Sequence, residues 1–112
     1  MPSESPANAS APVFRVDKFQ VPAESLTPFI DQIQHVQRTL GTLPGCRQKH
    51  VLTQTGGPSE FNVVTIVEWA NAQALAAAQA VVQKQLAEEG FDLASFRQKL
   101  NVRGDSGFYS QV

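Results

Sequence analysis

The chain has 112 residues, nine Lys plus Arg against ten Asp plus Glu, a formal net charge of −1, one Cys and two His. That length suits one domain, whose core can close without metal or disulfide staples. The near-neutral charge gives no footprint for nucleic-acid phosphates or an anionic membrane, no apolar run approaches the ~20 residues of a membrane span, and Cys46 with His35 and His50 is too small a set for a zinc cluster. The expectations are therefore no nucleic acid, no membrane, no metal and no internal disulfide. The start of the sequence also lacks the basic and apolar pattern of a secretory leader, which points to a cytoplasmic protein.

Residues 1–12 carry three Pro and three Ser and little that could be buried, so they read as a flexible tail, with the domain over 13–112. Val13 to Gln20 has apolar groups at Val13, Phe14, Val16 and Phe19, the pattern of a strand covered on two sides. Leu26, Phe29, Ile30, Ile33, Val36 and Leu40 then recur at steps of three and four, which predicts an amphipathic helix closed by Gly41. Pro28 requires either that Thr27 cap the helix or that its first turns be bent. Cys46 to Thr55 alternates with period two, Gly56-Gly57-Pro58-Ser59 is turn chemistry, and Phe61 to Trp69 is rich in Val, Ile and aromatics; together they predict a hairpin. Asn71 caps an Ala-rich helix ending near Glu89, Asp92 caps a short helix with Leu93, Phe96 and Leu100, and Gly107 to Val112 is read as a last strand.

The order β-α-β-β-α-(α)-β predicts an α+β, ferredoxin-like fold: a four-stranded antiparallel sheet with both long helices on one face. Val63, Val64, Ile66, Val67 and Trp69 are apolar on both sides of their strand, while one side has no helix to cover it. A second copy of the chain is the expected cover, which gives a homodimer.

Val16-Asp17-Lys18-Phe19 with Val21-Pro22, Leu43-Pro44-Gly45, and Val67-Glu68-Trp69 before the second helix resemble, in order and spacing, the antibiotic biosynthesis monooxygenase family, the dimeric α+β barrel proteins. The resemblance spans roughly residues 13–112. It implies a range of activities, among them oxidation of anthrones or quinols by molecular oxygen without a cofactor, and haem cleavage. In cofactor-free members an Asn and a Trp four residues apart on the third strand, a Tyr early in the second helix and a later Arg are implicated. Here Trp69 matches, while Thr65 and Leu75 stand at the Asn and Tyr positions. Haem-cutting members need an Asn on the first strand, where Lys18 is read, and a Trp and a His on the second helix, where neither occurs. Haem degradation is disfavoured on that count, and no cofactor is expected.

The resemblance and the residues together suggest a cofactor-independent monooxygenase acting on a small aromatic substrate, an anthrone, quinol or phenol. Such chemistry needs a dry apolar cavity, a group favouring the deprotonated substrate, and room for oxygen. His50 or Lys18 is the candidate base or anion holder, Trp69 a catalytic wall, and Phe14, Thr65, Leu75, Val82 and Tyr109 the candidate substrate contacts. Each has a plainer alternative: Trp69 as core, His50 as a structural histidine, Lys18 with its charge in water, Tyr109 as a dimer contact. Cys46 beside Arg47 is either a thiol of lowered pKa or a small buried hydrophobe. The competing function is a non-catalytic dimeric module that binds a small ligand or supports assembly. An open pocket with converging polar groups would favour the enzyme, and a filled sheet-helix interface the module.

Overall fold

The structure, a computed structural model, describes residues 11–112, so most of the segment read as a tail lies outside the described residues. Strand β1 (Val13–Gln20) is followed by a 3-10 turn at Ala23–Ser25 and helix α1 (Leu26–Leu40). Strands β2 (Cys46–Thr53) and β3 (Val63–Trp69) come next, then α2 (Ala72–Glu88), α3 (Leu93–Leu100) and β4 (Arg103–Tyr109). All strand pairs are antiparallel, in the order β2-β3-β1-β4, which is the ferredoxin-like arrangement.

Local chemistry explains the boundaries. Ser25 is the N-cap of α1, so Pro28 falls in the first turn, where backbone N–H groups have no intrahelical partner to lose. Neither alternative read from the sequence is what the structure has: the cap is Ser25 rather than Thr27, and the 3-10 turn precedes the helix. Asn71 Oδ1 accepts from the Ala74 amide at 2.8 Å and Asp92 Oδ1 from the Ser95 amide at 3.2 Å, which caps α2 and α3. Gly45 is required: its φ is +85°, and a Cβ there would lie 2.5 Å from that of Ala74. This close approach seats the start of α2 on the connection before β2.

Two ends differ from the periodicity reading. The last strand begins at Arg103 rather than Gly107, because Arg103-Gly104-Asp105-Ser106 carries no apolar signal and is held by its ladder with β1, from Gln20↔Arg103 to Phe14↔Tyr109. The third strand starts at Val63 rather than Phe61. Just before it, Asn62 bonds both backbone groups of Val21 through its side chain, Nδ2 to O and Oδ1 from N, each at 2.8 Å.

The register assigns every strand residue to a face. Phe19, Val63, Thr65, Val67 and Trp69 are buried beneath the helices together with Asp17. The alternate residues Phe14, Val16, Lys18, Val64, Ile66 and Glu68 lie on the face without helices. The core under the helices has two parts: Phe19, Val21, Phe29, Val63 and Val102 at one end, and Val67, Trp69, Leu75 and Ala78 at the other. Among the described residues, no helix is long and apolar enough to cross a membrane.

Candidate active site

Between the two halves of the core the sheet and helices enclose an open cavity of about 280 Å³. That is close to the lower bound of the roughly 300–1,000 Å³ usual for small-ligand pockets. At one end the walls are Trp69, Leu75 and Leu40; at the other they are Phe19, Phe29 and Phe96, with Val82 and Leu86 along the helix side. Phe29 meets Phe19 edge-on at 4.9 Å and stacks near-parallel with Phe96 at 6.4 Å, so the second end is an aromatic cluster.

Charged groups enter this apolar space from β1 and α3. Arg15 and Asp17 both point beneath the helices, since they share the face of Phe19. Arg15 donates to the Asp17 carboxylate through Nε at 3.0 Å and a terminal nitrogen at 3.3 Å, and the Ser106 hydroxyl donates to the same carboxylate. Asp17 is buried, and Thr65, its register partner on β3, is buried beside it. Arg97 on α3 places its guanidinium 5.0 Å from the centre of the Phe19 ring. Burial holds the Arg97 pKa below its ordinary value; the charge of Asp17 opposes that shift and Arg15 adds to it. Arg97 and Gln32 line the cavity, and each has a buried donor, Nε and Nε2 respectively, with no hydrogen-bond partner among the described residues.

The structure brings together four of the residues singled out from sequence, Trp69, Thr65, Leu75 and Val82, all of which line the cavity. It places the other four elsewhere. Phe14, Lys18, His50 and Tyr109 lie on the face without helices, because each falls on the opposite strand parity from the buried residues. His50 is exposed, with Nε2 3.3 Å from Gln48 Oε1, and its backbone carbonyl accepts from Gln37. Lys18 lies between Val64 and Asp105 in register, and Tyr109 folds over Gly107. None of the four reaches the cavity. Cys46 packs with the Trp69 cluster, and burial pushes its thiol pKa up against an opposing effect of Lys49, so it is a small half-buried hydrophobe rather than an activated thiol.

Sequence reasoning passed over Arg15, Asp17 and Arg97. A signal existed for the first two: Arg15, Asp17 and Phe19 share one parity, and a strand that turns charges to the same side as its buried aromatic is unusual. For Arg97 the signal was the later Arg that the resemblance implicates; which of Arg97 and Arg103 faces the cavity is set by packing.

A model of the antibiotic biosynthesis monooxygenase family matches residues 12–81. The chain belongs to that family. No curated protein matches it in sequence. Among solved structures, a candidate monooxygenase from Shewanella loihica PV-4 is similar at 17% identity with a TM-score of 0.72, over 92% of this chain and 96% of that one. SnoaB, a cofactor-independent oxygenase from Streptomyces nogalater, is similar at 18% identity and TM-score 0.63, over 91% and 94%. A heme-degrading protein from Mycobacterium tuberculosis follows at 16% identity and TM-score 0.60, over 92% and 93%. At these identities the likeness is one of fold.

The haem chemistry of the last relative can be tested on this cavity. Among the described residues its lining includes no His, Cys, Met or Tyr, the side chains that hold haem iron. Among the described residues no three His, Cys, Asp or Glu cluster as a metal site either. The residues present do not fit a haem.

Proposed function

We propose that the chain is a cofactor-independent monooxygenase whose substrate is a small aromatic acid of the anthrone, naphthol or hydroquinone kind, bound in the sheet-helix cavity. The observation that carries this reading is the Arg15–Asp17 pair opening into an otherwise apolar space walled by Trp69. An open cavity with converging polar groups also speaks against the purely structural module, which would have a filled interface.

The chemistry follows from the pair. Among the described residues Asp17 is the only carboxylate lining the cavity, and a carboxylate has about four acceptor sites, of which Arg15 and Ser106 take three. The fourth can accept a proton from the substrate. Once Asp17 is neutral, the Arg15 guanidinium loses its partner and pairs with the oxygen left charged on the substrate, so the charge count of the site is unchanged. The electron-rich anion passes one electron to dioxygen, and the resulting radical and superoxide combine to form a C–O bond. The proton returns to give a hydroperoxide. For an anthrone, loss of the remaining C–H proton with cleavage of the O–O bond gives the ketone and water, one oxygen atom in each product. Exclusion of water by Trp69, Leu75 and the Phe19 cluster keeps the anion from being reprotonated first.

Oxygen uptake by the purified protein on anthrones, naphthols and hydroquinones tests this reading. The Asp17→Asn variant should lose about 10² to 10⁴ in rate, the usual worth of a positioned general base. His50→Ala and Lys18→Met should keep the wild-type rate. Unchanged uptake in a folded Asp17→Asn protein would remove the mechanism, and no uptake from any compound would move the assignment to a ligand-binding module.

The homodimer belongs to the same proposal. Phe14, Val16, Val64, Ile66 and the 48%-exposed Leu52 form an apolar stripe across the face without helices, and a second copy of that stripe is a matching cover. Sedimentation should find a dimer, and Ile66→Glu should dissociate it.

A further inference from the structure

We infer that Ser106 is the path by which protons pass between Asp17 and the surrounding water while a substrate occupies the cavity. The inference rests on Asp17 being the base proposed above, and goes beyond it by giving that base a route to solvent. Ser106 does not touch the substrate; it is a positioning residue that acts through Asp17.

The place of Asp17 poses the question. Its side chain is 12% exposed, it lies on β1 inside the sheet, and it lines the cavity that the substrate would fill. A seated aromatic ligand closes the approach for water from that side. A proton moved onto Asp17 then has to return to the molecule it came from, unless a neighbouring group carries it away.

The partners of Asp17 differ in what they can do with a proton. Among the described residues its carboxylate accepts two hydrogen bonds from Arg15 and one from Ser106. A guanidinium is a donor only and keeps its protons in a protein, so Arg15 holds the carboxylate but relays nothing. A hydroxyl has one donor and two acceptor sites and turns to suit its partner. Ser106 therefore donates to the ionised carboxylate and can accept from the protonated one. On the other side of β1, Thr65 faces Asp17 in register and is buried, so that side leads inward.

Topology puts Ser106 at the surface. It stands opposite Asp17 in the β1–β4 ladder, and β4 is an edge strand with no second strand beside it among the described residues. Ser106 is exposed, as are its neighbour Asp105 and Phe108 farther along the same strand. The dimer proposed above covers the face without helices, while Ser106 shares the parity of Asp17 on the other. A buried carboxylate is thus one hydroxyl away from the sheet edge. The step balances with water as its one co-reactant. The O–H bond of protonated Asp17 breaks as one forms to Ser106 Oγ, and the O–H bond of Ser106 breaks as one forms to a water beyond it, which leaves a carboxylate, a hydroxyl and a hydronium ion. In reverse the same step hands Asp17 a proton from solvent, so a site whose proton count has gone wrong is reset without releasing its substrate.

Hydrogen exchange in the absence of oxygen tests the route. The full chain is held anaerobically with anthrone in heavy water, and mass spectrometry follows deuterium entering the substrate at the carbon that loses its proton, less the rate without protein. Oxygen uptake on the same compound is measured alongside. Wild type should exchange, and Asp17→Asn should exchange no faster than buffer. In Ser106→Ala the ratio of exchange to uptake should fall at least about tenfold, a modest share of what a positioned proton-transfer group contributes. Ser106→Thr, which keeps the hydroxyl, should restore the ratio. A residue that only held Asp17 in place would lower exchange and uptake together, so an unchanged ratio in a folded Ser106→Ala protein would overturn the inference. Wild-type uptake without exchange would overturn it too, and would leave Asp17 standing as the base. Exchange and uptake that both survive Asp17→Asn would remove the base and the route together.

Discussion

The two faces of the sheet are built from alternate residues of the same strands, yet they differ in kind. Beneath the helices, Phe19, Val63, Val67 and Trp69 frame a cavity into which Arg15, Asp17 and Thr65 project. On the other face, Phe14, Val16, Val64 and Ile66 are half-buried, and the charges among them face opposite ones, with Lys18 opposite Asp105 in register and Glu68 3.8 Å from Arg47. One face places polar groups where water is scarce and the other keeps apolar groups where water is plentiful. Burying a charge is costly and exposing a Val is not, so the charges on the helix-covered face are what the proposed site explains, and the apolar stripe on the bare face is what the proposed dimer would cover.

Truncation should separate the faces most sharply. Trp69→Ala is expected to cost about 3–5 kcal/mol in urea denaturation, because the indole is fully buried beside an existing cavity. Phe14→Ala, measured where the protein is monomeric, should cost less than about 1.5 kcal/mol and act instead on self-association. Equal losses would break the contrast. Next comes charge at adjacent positions on β1. Asp17→Ala strands Arg15, and stranding a fully buried partner costs about 3–5 kcal/mol; the Arg15 side chain is 34% exposed, so about 1–2 kcal/mol is expected. Lys18→Ala should stay within about 0.5 kcal/mol. Smaller again is Asn62→Ala, which removes both side-chain bonds to the Val21 backbone and should cost about 1 kcal/mol.

The same parity that divides the faces explains what could be read without a structure. Element order and both long helices follow from periodicity and a few turn residues, because a helix stripe or an Asn-capped Ala run is local information, whereas the family came from the resemblance of three short motifs in their order and spacing. Trp69, Thr65, Leu75 and Val82 were legible as pocket residues because they sit on elements whose inner face was already fixed by neighbouring apolar groups. On β1 the inner face was ambiguous: Phe14 and Phe19 are five apart and so cannot share a side. Choosing Phe14 and Lys18 as cavity residues took the parity that the register turns to the face without helices, and passed over Arg15 and Asp17 on the other. His50 suffered the same fate on β2, where Val51 rather than His50 packs against the core. Gln32 and Arg97 depend on how α1 and α3 rotate against the sheet, a long-range outcome.

The smallest effect lies at the end of α3, the element that carries Arg97 into the cavity. The Ser95 amide, and then the Ser95 hydroxyl, hold the Asp92 carboxyl below its usual value. On Glu89 the bond from His35, and then that from Gln85, act in the same direction. A carboxyl whose pKa is lower in the folded state leaves the unfolded chain binding more protons on the acid side, so stability rises with pH there. The contribution is fully present above the unfolded values, about 3.9 for Asp and 4.3 for Glu, and is lost as pH falls through the lower folded ones. Asp92→Asn keeps an N-cap side chain but removes its titration. The variant should match wild type closely in thermal midpoint at pH 7 and show a shallower fall between about pH 5 and pH 2, where the folded and unfolded carboxyls differ in protonation. An identical acid limb in variant and wild type would mean that the Ser95 cap does not act through charge, and would leave the His35–Glu89 pair to carry the slope, which Glu89→Gln then tests in the same scan.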